Sequence, residues 1–219
     1  MGRHGRERKT HMSHDYEYVT KKEYMPVKKE LISLINDVQD ELRNEFTFQF
    51  YFIGSTSRGM ITRDKKGNTG YDFDLNFYPN TYFDDYSPEE FRNIFIKALN
   101  RCCKKYGYAT CENSTRVITI KVKEQKNSKI KYSCDIAIVF DFEDDSSLYI
   151  HYNKKQNAFE WQQRPDPYYV EEKADVIKEA GYWNEVKDLY IYLKNTVEKK
   201  SRSLYAEAVS AIYNQHFNK

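Results

Sequence analysis

Two hydrophobic periods alternate along the chain, and the points where one gives way to the other mark its elements. Leu31, Leu34, Ile35, Val38 and Leu42 recur at helical spacing, which predicts an amphipathic helix over Pro26–Phe46. Phe48–Ile53 is apolar and loosely alternating, a strand that ends at Gly54. Ser87, Pro88 and Glu90 stand as N-cap, first helical residue and third residue of a capping box, and Gly107 occupies the place of a helix-stopping C′ residue, so a second helix is predicted from Ser87 to Tyr106. Val117–Lys123 sets Ile118, Ile120 and Val122 against Thr119, Lys121 and Lys123, a strand with one wet face. Ile130–Phe140 predicts a more deeply buried strand and Leu148–Tyr152 a short further one. Pro165 and Pro167, in "WQQRPDPYY", interrupt regular structure. Beyond them the helical period returns over Tyr168–Ala180, over Tyr182–Lys200 with Val186, Leu189, Tyr190 and Leu193 on one face, and over Ser203–Phe217. No internal repeat or low-complexity segment is present. Strands and helices mixed, followed by a helical tail, predict an α+β fold with a small C-terminal helical lobe: an arm over 1–24, a core over 25–160 and the lobe over 161–219.

Composition narrows the class. At 219 residues, with 31% charged and 16% aromatic residues, the chain is a globular protein with a real core rather than a disordered one. No apolar run approaches the roughly 20 residues that a bilayer requires, and the first residues lack the apolar stretch of a signal peptide. Cys102, Cys103, Cys111 and Cys134 form neither a CxxC pair nor a cluster with histidines, so they read as reduced thiols of a cytoplasmic protein. The net charge is +2, of which Arg3, Arg6, Arg8 and Lys9 against Glu7 contribute +3, leaving about −1 elsewhere. A broadly basic nucleic-acid-binding face is therefore not indicated. His11–Met12 has the form of a cloning scar, and the basic arm before it is kept out of the fold reasoning.

The chemistry concentrates in "FIGSTSRGMITRDKKGNTGYDFDLNF", Phe52–Phe77. Asp72 and Asp74 lie two apart in a strand and share a face, while Phe73 and Leu75 point the other way. At roughly 7 Å and an effective dielectric near 20, two such carboxylates repel by about 2 kcal/mol. Asp135, on the Ile130–Phe140 strand, joins the same face if the two strands are neighbours, with Ser133, Ala137 and Val139 beside it. Three converging carboxylates require a cation, and an all-oxygen set selects Mg²⁺ or Mn²⁺. Two such ions suit an in-line phosphoryl displacement. The bland alternatives are a strand-end turn at Gly54-Ser55, a surface arginine at Arg58, a capping or ion-paired acid at Asp135, a solvated lysine at Lys194, a helix N-cap at Ser203 and a solvated turn over Asp141–Asp145. No P-loop or Rossmann glycine pattern is present.

Taken in order, "FIGSTSRGM", "YDFDLNF" and "SCDIAIVF" resemble the DNA polymerase β-type nucleotidyltransferase superfamily over about Phe48–Phe140. That superfamily has a strand ending in Gly-Ser at a short helix, an Asp-x-Asp on the next strand and a third acid later. "DLYIYLKNTVEKKSRSLYAEAV" is similar to the segment of 2′-5′-oligoadenylate synthetases, cyclic GMP-AMP synthase and bacterial relatives in which a helix lysine and a later serine contact the donor triphosphate. The resemblance implies a mixed sheet flanked by helices and a transfer of NMP, with ATP the default donor, to a hydroxyl with release of pyrophosphate. Asp72, Asp74 and Asp135 become the catalytic ligands of two Mg²⁺ or Mn²⁺ ions, and Gly54, Ser55, Arg58, Lys194 and Ser203 the nucleotide contacts. The acceptor stays open among nucleotide, RNA, protein side chain and small molecule, as do base preference and oligomeric state. Two rival readings remain: a metal-dependent glycosyltransferase, which also uses Asp-x-Asp, and a non-catalytic nucleotide- or RNA-binding or antitoxin-like module of this fold.

Overall fold

The computed structural model describes residues 14–124, 128–144, 146–164 and 168–218. The arm through Met12, Pro165, Pro167 and Asp145 lie outside the described residues. The chain divides into two compact units, one of residues 18–63 and 67–167, the other of residues 1–17, 64–66 and 168–219. Two short strands, β1 (Tyr16–Tyr18) and β3 (Thr62–Asp64), make a separate two-stranded sheet.

The larger unit is built on a seven-stranded mixed sheet. Its main strands are β2 (Thr47–Ile53), β4 (Tyr71–Asn80), β5 (Glu112–Asn113), β6 (Ile118–Lys123) and β7 (Ile130–Asp141), in the order β2-β4-β7-β6-β5. A hairpin of β8 (Ser147–Asn153) and β9 (Ala158–Gln163) attaches to the end of β7. β4 and β7 run parallel, and the remaining neighbours are antiparallel. Phe48, Phe73, Leu75, Phe77, Ile118, Ile120, Cys134, Ile136 and Ile138 form a buried face of this sheet. They belong to one core with the apolar stripes of α1 (Lys21–Leu42) and α3 (Pro88–Lys105). Stacking of Phe48 on Phe77 at 4.6 Å between centroids, with Phe95 of α3 within 5.5 Å of both, illustrates the density of that core.

α3 has the predicted boundaries: the Ser87–Glu90 capping box closes its start, and Gly107 follows it at φ +70°. α1 begins five residues before the predicted Pro26, because Thr20 and Glu23 form a capping box of their own, and the exposed Pro26 is accommodated in the second turn. β9 was not expected; its Ala-Phe-Glu-Trp-Gln-Gln alternation is completed only by pairing with β8. Buried Arg92 of α3 donates to Asn113 Oδ1 at 2.5 Å and to the carbonyls of Val117, at 2.6 Å, and Ser114, which fastens the β5–β6 turn and so the start of β6.

The second unit contains α4 (Tyr168–Glu179), α5 (Trp183–Thr196) and α6 (Ser201–Phe217), joined by the buried side chains Ala174, Ile177, Val186, Tyr190, Leu193, Leu204, Tyr205, Ala208, Val209 and Ile212. Among the described residues no helix is long and apolar enough to cross a membrane.

Candidate active site

The sheet face opposite the phenylalanine core is polar. Strand register sets Asp74 directly beside Asp135 across the parallel β4–β7 ladder and Asp72 beside Ser133. Because the neighbouring strands of a sheet lie about 5 Å apart, Asp74 and Asp135 are closer than Asp72 and Asp74 along one strand. Asp72 is exposed, Asp74 and Asp135 half-buried. Each outer acid has a hydroxyl partner: Ser133 Oγ donates to Asp72 Oδ1, and Thr119 Oγ1 of β6 donates to Asp135 Oδ1 at 2.6 Å. Thr119, assigned by alternation to a wet face, is in fact buried, because that face is where Asp135 stands.

The protonation equilibria follow. Burial, then the charges of Asp135 and Asp72, push Asp74 up to about 6, against the pull of Arg58. Asp135 is also raised, by burial first and by the Asp72 charge, while the Thr119 hydrogen bond and Lys121 act in the opposite direction.

Gly54 sits at the end of β2, where Ile53 pairs with Asp74. Its φ is +62°, and a Cβ there would lie 2.8 Å from Asp74 Oδ2. Glycine is therefore demanded twice, by backbone conformation and by the carboxylate that lies against it. The short helix expected at this point is a single turn, α2 (Gly54–Ser57), closed by Ser57 Oγ to Gly54 O at 3.0 Å and by Met60 N to Ser55 O at 2.8 Å. A turn of this length has no appreciable helix dipole, so what it offers a ligand is the Ser55 hydroxyl, the Arg58 charge and close access to Asp74. Asn76, two residues beyond Asp74 on the same face, is buried; its Nδ2 donates to the Tyr78 hydroxyl at 2.8 Å and its Oδ1 has no partner among the described residues. Asn76 and Thr119 were given no role from the sequence, and Ser133 only a place beside Asp135, although each stands at even spacing from one of the acids or opposite one.

Lys194 and Ser203 belong to the helical unit. Lys194, in the last turn of α5, is buried with its ammonium 4.0 Å from the Tyr16 ring centroid. Asn195 grips the Tyr16 backbone on both sides, accepting from its N–H at 2.6 Å and donating to its carbonyl at 3.1 Å. A cavity of about 540 Å³ is lined here by Tyr16, Lys194, Lys199, Lys200, Ser201 and their neighbours. Ser203 is exposed in the first turn of α6, with Lys200 and not Ser203 at the N-cap.

No family model matches the sequence, and no curated protein matches it. Solved structures do. The CD-NTase CdnG of Bradyrhizobium diazoefficiens, in complex with GTP, aligns at a TM-score of 0.57 and 12% identity over 88% of this chain and 66% of its own. Escherichia coli DncV in its 3′-deoxy GTP bound form aligns at 0.57 and 18% identity over 91% and 54%, and Vibrio cholerae DncV in its GTP bound form at 0.56 and 17% over 88% and 52%. The fold is that of the cGAS-like nucleotidyltransferases. The chain spans between about half and two thirds of the length of those proteins.

A nucleotidyltransferase fold implies divalent metal, and the donors on this face fit one. They are oxygen atoms only, which suits a hard cation, and a cation would offset the burial and like charge that raise Asp74 and Asp135. Among the described residues no three acidic, histidine or cysteine side chains are gathered as they are around a bound ion. The expected convergence of three carboxylates is thus only partial: Asp72 is drawn to Ser133 and Asp135 to Thr119, hydrogen bonds that compete with a cation for the same oxygens.

Proposed function

We propose that this chain is a metal-dependent nucleotidyltransferase that moves a nucleoside monophosphate from an NTP to a hydroxyl and releases pyrophosphate. One observation carries the reading: two half-buried aspartates in direct register on parallel strands, a third on the same face, and Gly54 pressed against one of them, within a fold shared with nucleotide-bound structures. Asp72 and Asp74 would hold both ions and Asp135 the one nearer the acceptor. Two Mg²⁺ or Mn²⁺ ions supply acidification of the acceptor hydroxyl and neutralisation of the departing pyrophosphate. Asp135 Oδ1 is engaged by Thr119, which leaves Oδ2 to take the acceptor proton. Within the sheet unit Ser55 would donate to a phosphate oxygen and Arg58 would supply a charge; for Lys194 and Ser203 of the helical unit the triphosphate role rests on the resemblance of their segment alone. That Vibrio cholerae DncV is solved with the linear intermediate 5′ pppA(3′,5′)pG supports a nucleotide as acceptor. A glycosyltransferase would need a nucleotide-binding βαβ unit in one parallel sheet, whereas among the described residues β1 and β2, the strands on either side of α1, belong to different sheets.

The test is incubation with each labelled NTP and Mg²⁺ or Mn²⁺, with products resolved by mass. Metal-dependent pyrophosphate and a nucleotide-sized adduct are expected, and both should vanish in Asp72→Asn/Asp74→Asn. Pyrophosphate release that survives this double substitution would place the chemistry elsewhere.

A further inference from the structure

Two thiols away from the acid face lie in contact. Cys103 is fully buried in the last turn of α3, Cys111 is half-buried at the entry to β5, and their Sγ atoms are 3.8 Å apart. Both are free. Local hydrogen bonding brings them together. Gly107 stops α3 at φ +70°; its N–H donates to Lys104 O at 3.2 Å and the N–H of Tyr108 to Cys103 O at 2.9 Å, which turns the backbone back along the helix. Asn100 Oδ1 then accepts the N–H of Cys111 at 2.7 Å. Each sulfur therefore stands on backbone tied to the end of α3. A disulfide bond is about 2 Å long, so the pair has to close by less than about 2 Å, a distance within reach of small side-chain rotations.

The two thiols are unequal. Cys103 donates the hydrogen bond between them; that bond holds the Cys111 thiol below its ordinary range and, together with burial, pushes Cys103 up. Cys111 has the partial exposure through which a small oxidant reaches it, and Cys103 has none. Reactive and resolving thiol are thus distinguished by position. Cys102 and Cys134 are fully buried, and burial raises the Cys102 thiol to about 11.

We propose that Cys103 and Cys111 form a redox-modification site, a peroxide-reactive dithiol that closes to a disulfide and clamps the entry of β5 to the end of α3. Cys111, as thiolate, attacks one oxygen of hydrogen peroxide; the O–O bond breaks, hydroxide leaves, and Cys111 becomes a sulfenic acid. Cys103 then attacks the Cys111 sulfur, the S–O bond breaks, and the oxygen departs as water with the proton of Cys103. The sulfur pair is oxidised by two electrons and the peroxide is reduced. A thiol reductant reverses the step. In β5, Glu112 pairs with Thr119, which donates to Asp135, so the clamp restrains the strand next to the one that supports the acid face. The modification itself does not depend on which reaction that face performs.

The test treats the full chain with stoichiometric hydrogen peroxide, then denatures it and labels free thiols with a maleimide. Untreated protein should label at all four cysteines and treated protein at Cys102 and Cys134 alone, with peptide mapping joining Cys103 to Cys111 within one chain. Closing this short loop should raise Tm by on the order of 5 °C, and dithiothreitol should restore both the labelling and the Tm. In Cys103→Ser, Cys111 should stop at the sulfenic acid and take up dimedone; in Cys111→Ser, the other thiols should stay unreacted. Wild-type mapping decides the pairing even where Cys103→Ser, at a fully buried position, fails to fold. Full labelling after peroxide, a bridge to Cys102 or Cys134, a bridge between two chains, or a Cys103–Cys111 bridge that does not raise Tm would overturn the proposal.

Discussion

Asp74→Asn should stabilise the metal-free protein at neutral pH, although it removes a residue at the heart of the proposed site. Asp74 ionises near 6 in the folded state instead of its ordinary 3.8, because burial and the charges of Asp135 and Asp72 outweigh Arg58. An acid with a raised folded-state pKa holds its proton more tightly folded than unfolded, so stability is greatest below about 4 and falls as the pH rises through about 6. At about 1.4 kcal/mol for each pH unit between the two values, the loss is about 3 kcal/mol at pH 7. Asparagine keeps the shape, removes the charge and relieves Asp135 of a like-charged neighbour across the ladder. For a chain of this size that gain is a rise in Tm on the order of 6 to 12 °C. The assay is thermal and urea unfolding of wild type and variant without metal from pH 4 to pH 7.5. The two should coincide near pH 4 and separate across pH 4–6. Curves that stay parallel, or a variant less stable at pH 7, would refute the electrostatic account of this site.

Gly54→Ala should cost about 1–2 kcal/mol for the left-handed backbone alone and additionally displace the Asp74 carboxylate, whereas Gly59→Ala, at φ +65° with open space where its Cβ would go, should pay only the conformational cost and keep activity; unfolding and pyrophosphate-release assays on the pair separate the two effects. Thr119→Val should cost about 1–3 kcal/mol at pH 7 and clearly less at pH 4, where Asp135 is protonated more fully, as denaturation at the two pH values will show. Mg²⁺ or Mn²⁺ with ATP should raise the Tm of wild type and leave that of Asp72→Asn/Asp74→Asn unmoved, read by thermal shift. Lys194→Met should weaken ATP roughly 5- to 150-fold while leaving adenosine within about twofold, measured as dissociation constants, if the lysine contacts phosphate.

The parts of this fold that were legible in the sequence are those in which local chemistry and tertiary burial agree. Ser87, Pro88, Glu90 and Gly107 fix both ends of α3 by backbone hydrogen bonding alone, and burial of Phe91, Phe95 and Leu99 only adds to that. The start of α1 was misplaced because Pro26 carries a strong stop signal, while the Thr20–Glu23 box that overrides it lies in a segment with no apolar period to draw the eye. β9 was missed although Phe159 and Trp161 alternate with Glu160 and Gln162: the alternation is only four residues long, and the pairing that makes it a strand is supplied by β8.

At the site, alternation reveals which acids share a strand face, but only register reveals which strands meet. Asp72 and Asp74 could be read together from their spacing. The neighbourhood of Asp74 and Asp135, 61 residues apart in the chain, is a property of the parallel β4–β7 ladder that no window of sequence contains. The same ladder explains why Thr119 and Ser133 were passed over. Each is an ordinary hydroxyl until the sheet brings it next to an acid, Thr119 to half-buried Asp135 and Ser133 to exposed Asp72, and then it donates a hydrogen bond to that carboxylate. On this face hydroxyl partners offset the mutual repulsion of the outer acids, while Asp74, pressed against Gly54, is raised by burial first and then by the charges of Asp135 and Asp72. A cation that took over the carboxylates would release both hydroxyls and lower both raised pKa values together, so metal affinity should fall steeply as the pH drops through 6, in step with the protonation of Asp74.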